Sequence, residues 1–252
     1  GSAKEMLSQL EKEEADWDVA FGVSADALEE GKEYWQTGKD AWTGYSAVSF
    51  VILYNTNVVT YRELPTGWDS LLEPRWKGRM AVPDPLKSDM AASVLTEAAK
   101  NSEKEEFLDL LAENMQYQMP ETFKEVEQGI SDGRYSIGVT SEEAAKAMLA
   151  AGQDVDYIDP EEGECFFEDG TAIRKRTPNL DASEAFVTYT TCDDTKWLLR
   201  TQLLRQPAED VAAENDRSDE DLKQRYSRQQ EVLNIWKLIM EEKSGSAHEQ
   251  EQ

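Results

Sequence analysis

Histidine is almost missing from this chain of 252 residues: there is one, His248, in the polar stretch Ser246 to Gln252. Without another imidazole, histidine-based metal sites and Ser–His or Cys–His catalysis have nothing to work with. Cysteine is scarce as well. Cys165 and Cys192 both fall in the second half, with no CxxC pair and no Cys/His cluster. A disulfide and two separate thiols both fit that pattern. No apolar run approaches the roughly 18 residues that would cross a membrane. P-loop, GxGxxG and GxSxG patterns are absent too. Positive charge is thin: 26 Lys and Arg stand against 52 Asp and Glu, a formal net charge of −26. Such a surface repels phosphate backbones and excludes nucleic acid as a partner. The acids are chiefly a solvated surface. A carboxylate pair for hydrolysis is the enzymatic alternative, but no pair stands out.

What the chain does have is a core. Seven Trp, nine Tyr and seven Phe are too many for a disordered segment, and the length suits one large domain or two lobes. Strand and helix patterns alternate. A helix over Ala3 to Glu14 is followed by a strand at Asp18–Gly22, a helix from Ala25 to about Tyr34, and a loop at 38–45. A near-continuous apolar strand, Ala47 to Tyr54, comes next. Beyond Pro65 and Pro74 lie a short strand at Gly78–Val82 and helices at 90–100, 103–114 and 121–129. Strand Tyr135–Val139 runs into Thr140-Ser141-Glu142-Glu143, a capping-box pattern opening a helix to Ala151. Strands are expected at 155–158 and, as antiparallel strands, within Glu164–Ile173. Helices follow at 181–189, with Asp181 as cap, at 195–204 and at 219–242, leaving 243–252 as a disordered tail. The fold class is α/β, with the strands in mixed sheets.

Local sequences narrow this further. Trp68 through Arg79 resembles the W-x-D-L-x-x-P-x-W-K-G-K/R stretch of bacterial extracellular solute-binding proteins. Asp84-Pro85 with Ser88 is similar to that family's D-P-x-x-S turn. Gly133–Ala145, Tyr157–Gly163 and Thr171–Phe186 resemble later segments of the family, in family order. The resemblance spans residues 3–240 and implies a two-lobed clamp of the periplasmic-binding-protein kind. Lobe one would take residues 1–54 and 164–252 and lobe two 55–163, with a hinge of crossover strands. It also implies a missing N-terminal strand and helix, a missing signal peptide, and a periplasmic or extracellular, cell-surface-attached location, with membrane contact only through the permease or a missing lipid anchor. The expected role is capture of a solute for an ABC importer, by a monomer whose partners are the solute and the permease subunits. Neither an enzymatic activity nor a cofactor is implied.

Within such a clamp, solute is expected at strand-to-helix turns, where helix N–H groups are free. The candidates are Ser24; Trp42, Thr43 and Tyr45; Ser88 and Asp89; and Thr140, Ser141 and Glu142. Ser and Thr at such turns also cap helices with no ligand present, and acids there complement the helix dipole. The ferric binders of the family carry adjacent tyrosines near the segment matching Tyr135–Val139. This chain has no Tyr-Tyr pair, so an organic anion, a phosphonate or a sugar phosphate is favoured over ferric iron with non-standard ligands. An interaction module that has lost its pocket is the remaining alternative.

Overall fold

The computed structural model describes residues 3–36, 41–163, 165–211 and 218–250. In chain order the elements are α1 (Ala3–Glu11), β1 (Val19–Ser24), α2 (Ala25–Glu30), β2 (Thr43–Asn55), β3 (Met80–Ala81), α3 (Asp89–Asn101), α4 (Phe107–Asn114), α5 (Phe123–Ser131), β4 (Ile137–Ser141), α6 (Glu142–Ala150), β5 (Val155–Ile158), β6 (Cys165–Ile173), α7 (Leu180–Thr190), α8 (Asp193–Leu198), β7 (Gln206–Pro207), α9 (Ala208–Val211) and α10 (Asp219–Gln250). This is an α/β fold with both parallel and antiparallel pairing.

The chain forms two compact units, Gly1–Val48 with Phe166–Ser227, and Ser49–Cys165 with Arg228–Gln252. The division falls at 48/49 and 165/166 rather than at 54/55 and 163/164. The C-terminal helix also departs from expectation, because from Arg228 it belongs to the second unit, not the first. Its polar side chains explain this. The Gln229 amide donates to the Asp89 carbonyl (3.0 Å) and to Ser93 Oγ (2.7 Å). Trp236, fully buried, anchors the same helix. The helix continues through Gln250 where a disordered tail was expected.

In unit 1, β1 pairs antiparallel with β6, from Val19 opposite Ile173 to Ser24 opposite Asp169. The register slips between Phe21 and Val23, where Gly22 takes φ +70°. An extra residue in the left-handed region is a β-bulge, and Gly alone adopts it without strain. Leu10, Ala20, Leu28, Trp35 and Ala172 form the core here. The segment 165–173 is one continuous strand, not the antiparallel strands expected. Gly170 makes this possible: a Cβ there would press on Leu28, Trp42 and the Thr43 carbonyl. β2 likewise starts at Thr43 instead of Ala47, its first half paired with β7. Within the loop expected at 38–45, residues 38–40 lie outside the described residues.

Unit 2 is built on the second half of β2. Phe50–Tyr54 pairs antiparallel with β4, and Ile52–Asn55 with β5. That strand has neighbours on both edges, which is why it is almost wholly apolar and buried. β3 lies parallel to β4, so both strands end on the same side and lead into α3 and α6 there. The expected strand at 78–82 shrinks to Met80–Ala81. Val51, Leu53, Val126, Ile130, Ala145 and Met148 close the core. Smaller differences are local. α4 begins at Phe107, α7 has Asn179 rather than Asp181 at its N-cap position, and the helix expected at 195–204 becomes α8 followed by a π-helical turn, Leu199–Leu203.

Candidate functional site

The bulge at Gly22 leaves Phe21 facing outward within β1. Its ring stacks on Tyr45, with centroids 4.8 Å apart and planes at 17°. Phe186 of α7 meets it edge-on at 5.4 Å. Both phenylalanines stay open to solvent, Phe21 at 52% and Phe186 at 40% exposure, while Tyr45 is buried. Exposed rings in mutual contact present a flat organic surface, not a core. Beside them the buried Asp169 and the half-buried Arg205 form an ion pair at 2.7 Å. Both act on the Tyr45 phenol. Burial and the Asp169 charge push its pKa up, partly opposed by Arg205, so Tyr45 stays neutral.

Ser24 ends β1 opposite Asp169 and is the N-cap residue of α2, but its hydroxyl makes no cap bond. Ser24 and Tyr45 thus share one edge of unit 1. Trp42 and Thr43 play other parts. The Trp42 indole N–H donates to Glu29 (3.2 Å), and its ring packs with the unit 1 core. The Thr43 carbonyl sits over Gly170.

In unit 2 the five candidates lie on the side where β3 and β4 end. Ser88 caps α3 by accepting from the Ala91 N–H (3.2 Å), and Asp89 opens that helix. Ser141 caps α6 through the Ala144 N–H. Thr140 is fully buried and donates to Glu127 at 2.7 Å. Glu142 pairs with Lys146 (2.8 Å) and accepts from the Tyr157 hydroxyl (3.4 Å). Burial and the Glu142 charge raise the Tyr157 pKa. Burial lowers that of Lys146, yet the hydrogen bond and charge of Glu142 outweigh it and leave the ammonium above its usual range. Both serine hydroxyls therefore act as helix caps. The carboxylates in these first turns complement the helix dipoles.

Phe21, Phe186, Asp169 and Arg205 escaped the sequence reading, as did Glu127, Lys146 and Tyr157. Phe21-Gly22 inside a strand was a readable bulge signal. The others meet across large sequence separations and leave no local trace. Among the described residues, no group of three or more His, Cys, Asp or Glu is placed to hold a metal ion, and no helix is long and apolar enough to cross a membrane. Both cysteines are free, Cys165 buried and Cys192 half-buried.

The fold is that of the periplasmic binding proteins. It superposes on a ferric binding protein from Campylobacter jejuni (TM-score 0.77, 14% identity, 95% of this chain and 89% of that one). AfuA from Actinobacillus pleuropneumoniae, solved with exogenous fructose-6-phosphate bound, matches with TM-score 0.77 at 14% identity over 95% and 88% of the two chains. Apo FutA2 from Synechocystis matches with TM-score 0.71 at 18% identity over 95% and 90%. No curated protein sequence matches. Residues 12–230 match the model of the bacterial extracellular solute-binding protein family, and the chain belongs to that family. Its members are extracytoplasmic binding components of ABC transporters, not enzymes.

Proposed function

We propose that this protein captures a small organic solute bearing an anionic group, of the phosphonate or sugar-phosphate kind, and passes it to the permease of an ABC importer. The observation that carries the solute class is the aromatic set Phe21–Tyr45–Phe186, open on two of its rings, with Arg205 close enough to act on the Tyr45 phenol. Ring faces stack on organic solutes, and the Arg205 guanidinium beside them, though paired with Asp169, is the nearby cation that an anionic group would meet. Ser24, with its hydroxyl not engaged in capping, adds a donor at the same edge. The structure of AfuA with a sugar phosphate is compatible with this class.

Ferric ion is the competing solute, since iron appears in the names of other fold neighbours. The sequence argues against it, since the chain has no Tyr-Tyr pair of the kind that the family's ferric binders carry.

Thermal unfolding of the purified protein tests the proposal. The panel is phosphonates, sugar phosphates, carboxylates, amines, and ferric ion with and without citrate. A ligand at roughly a thousand times its Kd stabilises by about 4 kcal/mol. The expected result is a shift with one organic anion class, reduced in Phe21→Ala. A shift with ferric ion alone would overturn the solute class, and a flat panel would favour an interaction module.

A further inference from the structure

The π-helical turn after α8 ends on a residue whose side chain resists the backbone it is given. Leu204 follows Leu199–Leu203 in the left-handed region, at φ 54° and ψ 27°. Helices often stop on such a residue, and it is usually Gly, because a Cβ makes the conformation costly. Burial does not offset the strain here. The Leu204 side chain is 38% exposed and that of Leu203 55%. Backbone strain collects where a fold holds one group in one place, and π turns concentrate at functional positions.

The group held here is the next residue. Arg205 is fixed on both sides. Its N–H donates to the Leu199 carbonyl across the turn at 3.0 Å, and Leu199 is itself buried. Immediately after it, Gln206 and Pro207 pair with Ala47 and Ser46 of β2, the strand that carries Tyr45. Between these two anchors the Arg205 side chain reaches across to β6, its Nη2 donating to Asp169 Oδ2 at 2.7 Å. Asp169 lies opposite Ser24 in the β1–β6 register. A residue at 204 that cannot adopt the left-handed region would send the chain elsewhere after Leu203. The guanidinium would then leave Asp169, or β7 would leave β2.

We propose that Leu204 is a positioning residue of the solute site: its left-handed backbone, at the end of the π-helical turn, holds the Arg205 guanidinium on Asp169, where the anionic group of the solute meets it. The proposal rests on the solute reading above and adds to it the element that places the cation.

Phenylglyoxal, which modifies accessible guanidinium groups, reports on Arg205 with no solute present, and mass spectrometry follows the modified peptide. In the wild type Arg205 should react slowly. Asp169→Asn removes its charged partner and is expected to speed the reaction roughly tenfold. Leu204→Val, β-branched and so ill suited to the left-handed region, should speed it by a similar factor in protein that is folded by circular dichroism. Leu204→Gly, which adopts that region freely, should keep the slow rate. If Leu204→Val does not fold, Leu204→Thr, smaller but also β-branched, takes its place. A residue that only caps a helix would lower the melting temperature in Leu204→Val and leave Arg205 as slow as in the wild type. That result would overturn the proposal, and so would a fast reaction in Leu204→Gly.

The solute is tested apart, by adding phenylphosphonate or glycerol phosphate to the wild-type reaction. Protection of Arg205 by either supports both the positioning and the solute class. Release of Arg205 in Leu204→Val, with no protection by either anion in the wild type, upholds the positioning while refuting the solute class.

Discussion

The carboxylate of Glu162 accepts the backbone N–H of Trp68 at 2.9 Å, and its second oxygen accepts that of Asp69 at 3.0 Å. The Trp68 indole N–H reaches back to the Gly163 carbonyl at 3.0 Å. Gly67 is what lets the two segments close, because any Cβ there would collide with the Glu162 carboxylate. The segments that resemble the family at 68–79 and 157–163 thus hold each other in place within unit 2. Glu162→Ala leaves these N–H groups without an acceptor and is expected to cost about 1–3 kcal/mol. Gly67→Ala should destabilise as well, by displacing the same carboxylate. Urea denaturation of both variants checks this, and Glu162→Gln, which keeps one acceptor oxygen, should fall between wild type and Glu162→Ala.

The two thiols should differ sharply in reactivity. Cys165 is fully buried, with its sulfur near the Val94 carbonyl. Cys192 stands at the start of α8, and hydrogen bonds from the backbone and hydroxyl of Thr195 pull its pKa below the usual thiol range. Iodoacetamide at neutral pH is expected to label Cys192 first and to reach Cys165 only in denaturant. Peptide mass spectrometry reads the outcome, and equal labelling would contradict it.

Acid should loosen the junction of β1 and the segment after β6. Asp18 accepts from Thr177 Oγ1 and from the Asn179 amide, and these bonds, with help from Arg174, hold its pKa below the ordinary value. A depressed folded pKa contributes stability above the unfolded value, about 4, and that contribution disappears as pH falls through the folded value. Asp18→Asn should therefore lose stability at neutral pH and show a shallower decline below about pH 4. Melting temperature against pH, wild type beside variant, measures this. An identical slope would count against the role of Asp18.

Much of the α/β order was legible, since it depends on local pattern. Ala47–Tyr54 is apolar because that strand has partners on both edges, and Ser88 and Ser141 cap the helices that their positions announce. What stayed hidden was set by distant pairings. Gly170 lets β6 run unbroken because Trp42 and Thr43 cross it closely. The C-terminal helix joins unit 2 because Gln229 finds Ser93. Trp42 presented itself as a ligand wall but gives its indole N–H to Glu29. The Phe21–Tyr45–Phe186 set draws on three separate segments and a bulge, so only Tyr45 was foreseen.

Calorimetric titration of an organic anion selected from the thermal panel, into wild-type protein and into Phe21→Ala and Tyr45→Phe, bears most directly on the central claim. Saturable binding to wild type without turnover, weakened about tenfold or more in Phe21→Ala and largely kept in Tyr45→Phe, is the predicted result. Equal affinity in wild type and Phe21→Ala, or binding of ferric ion alone, would contradict it.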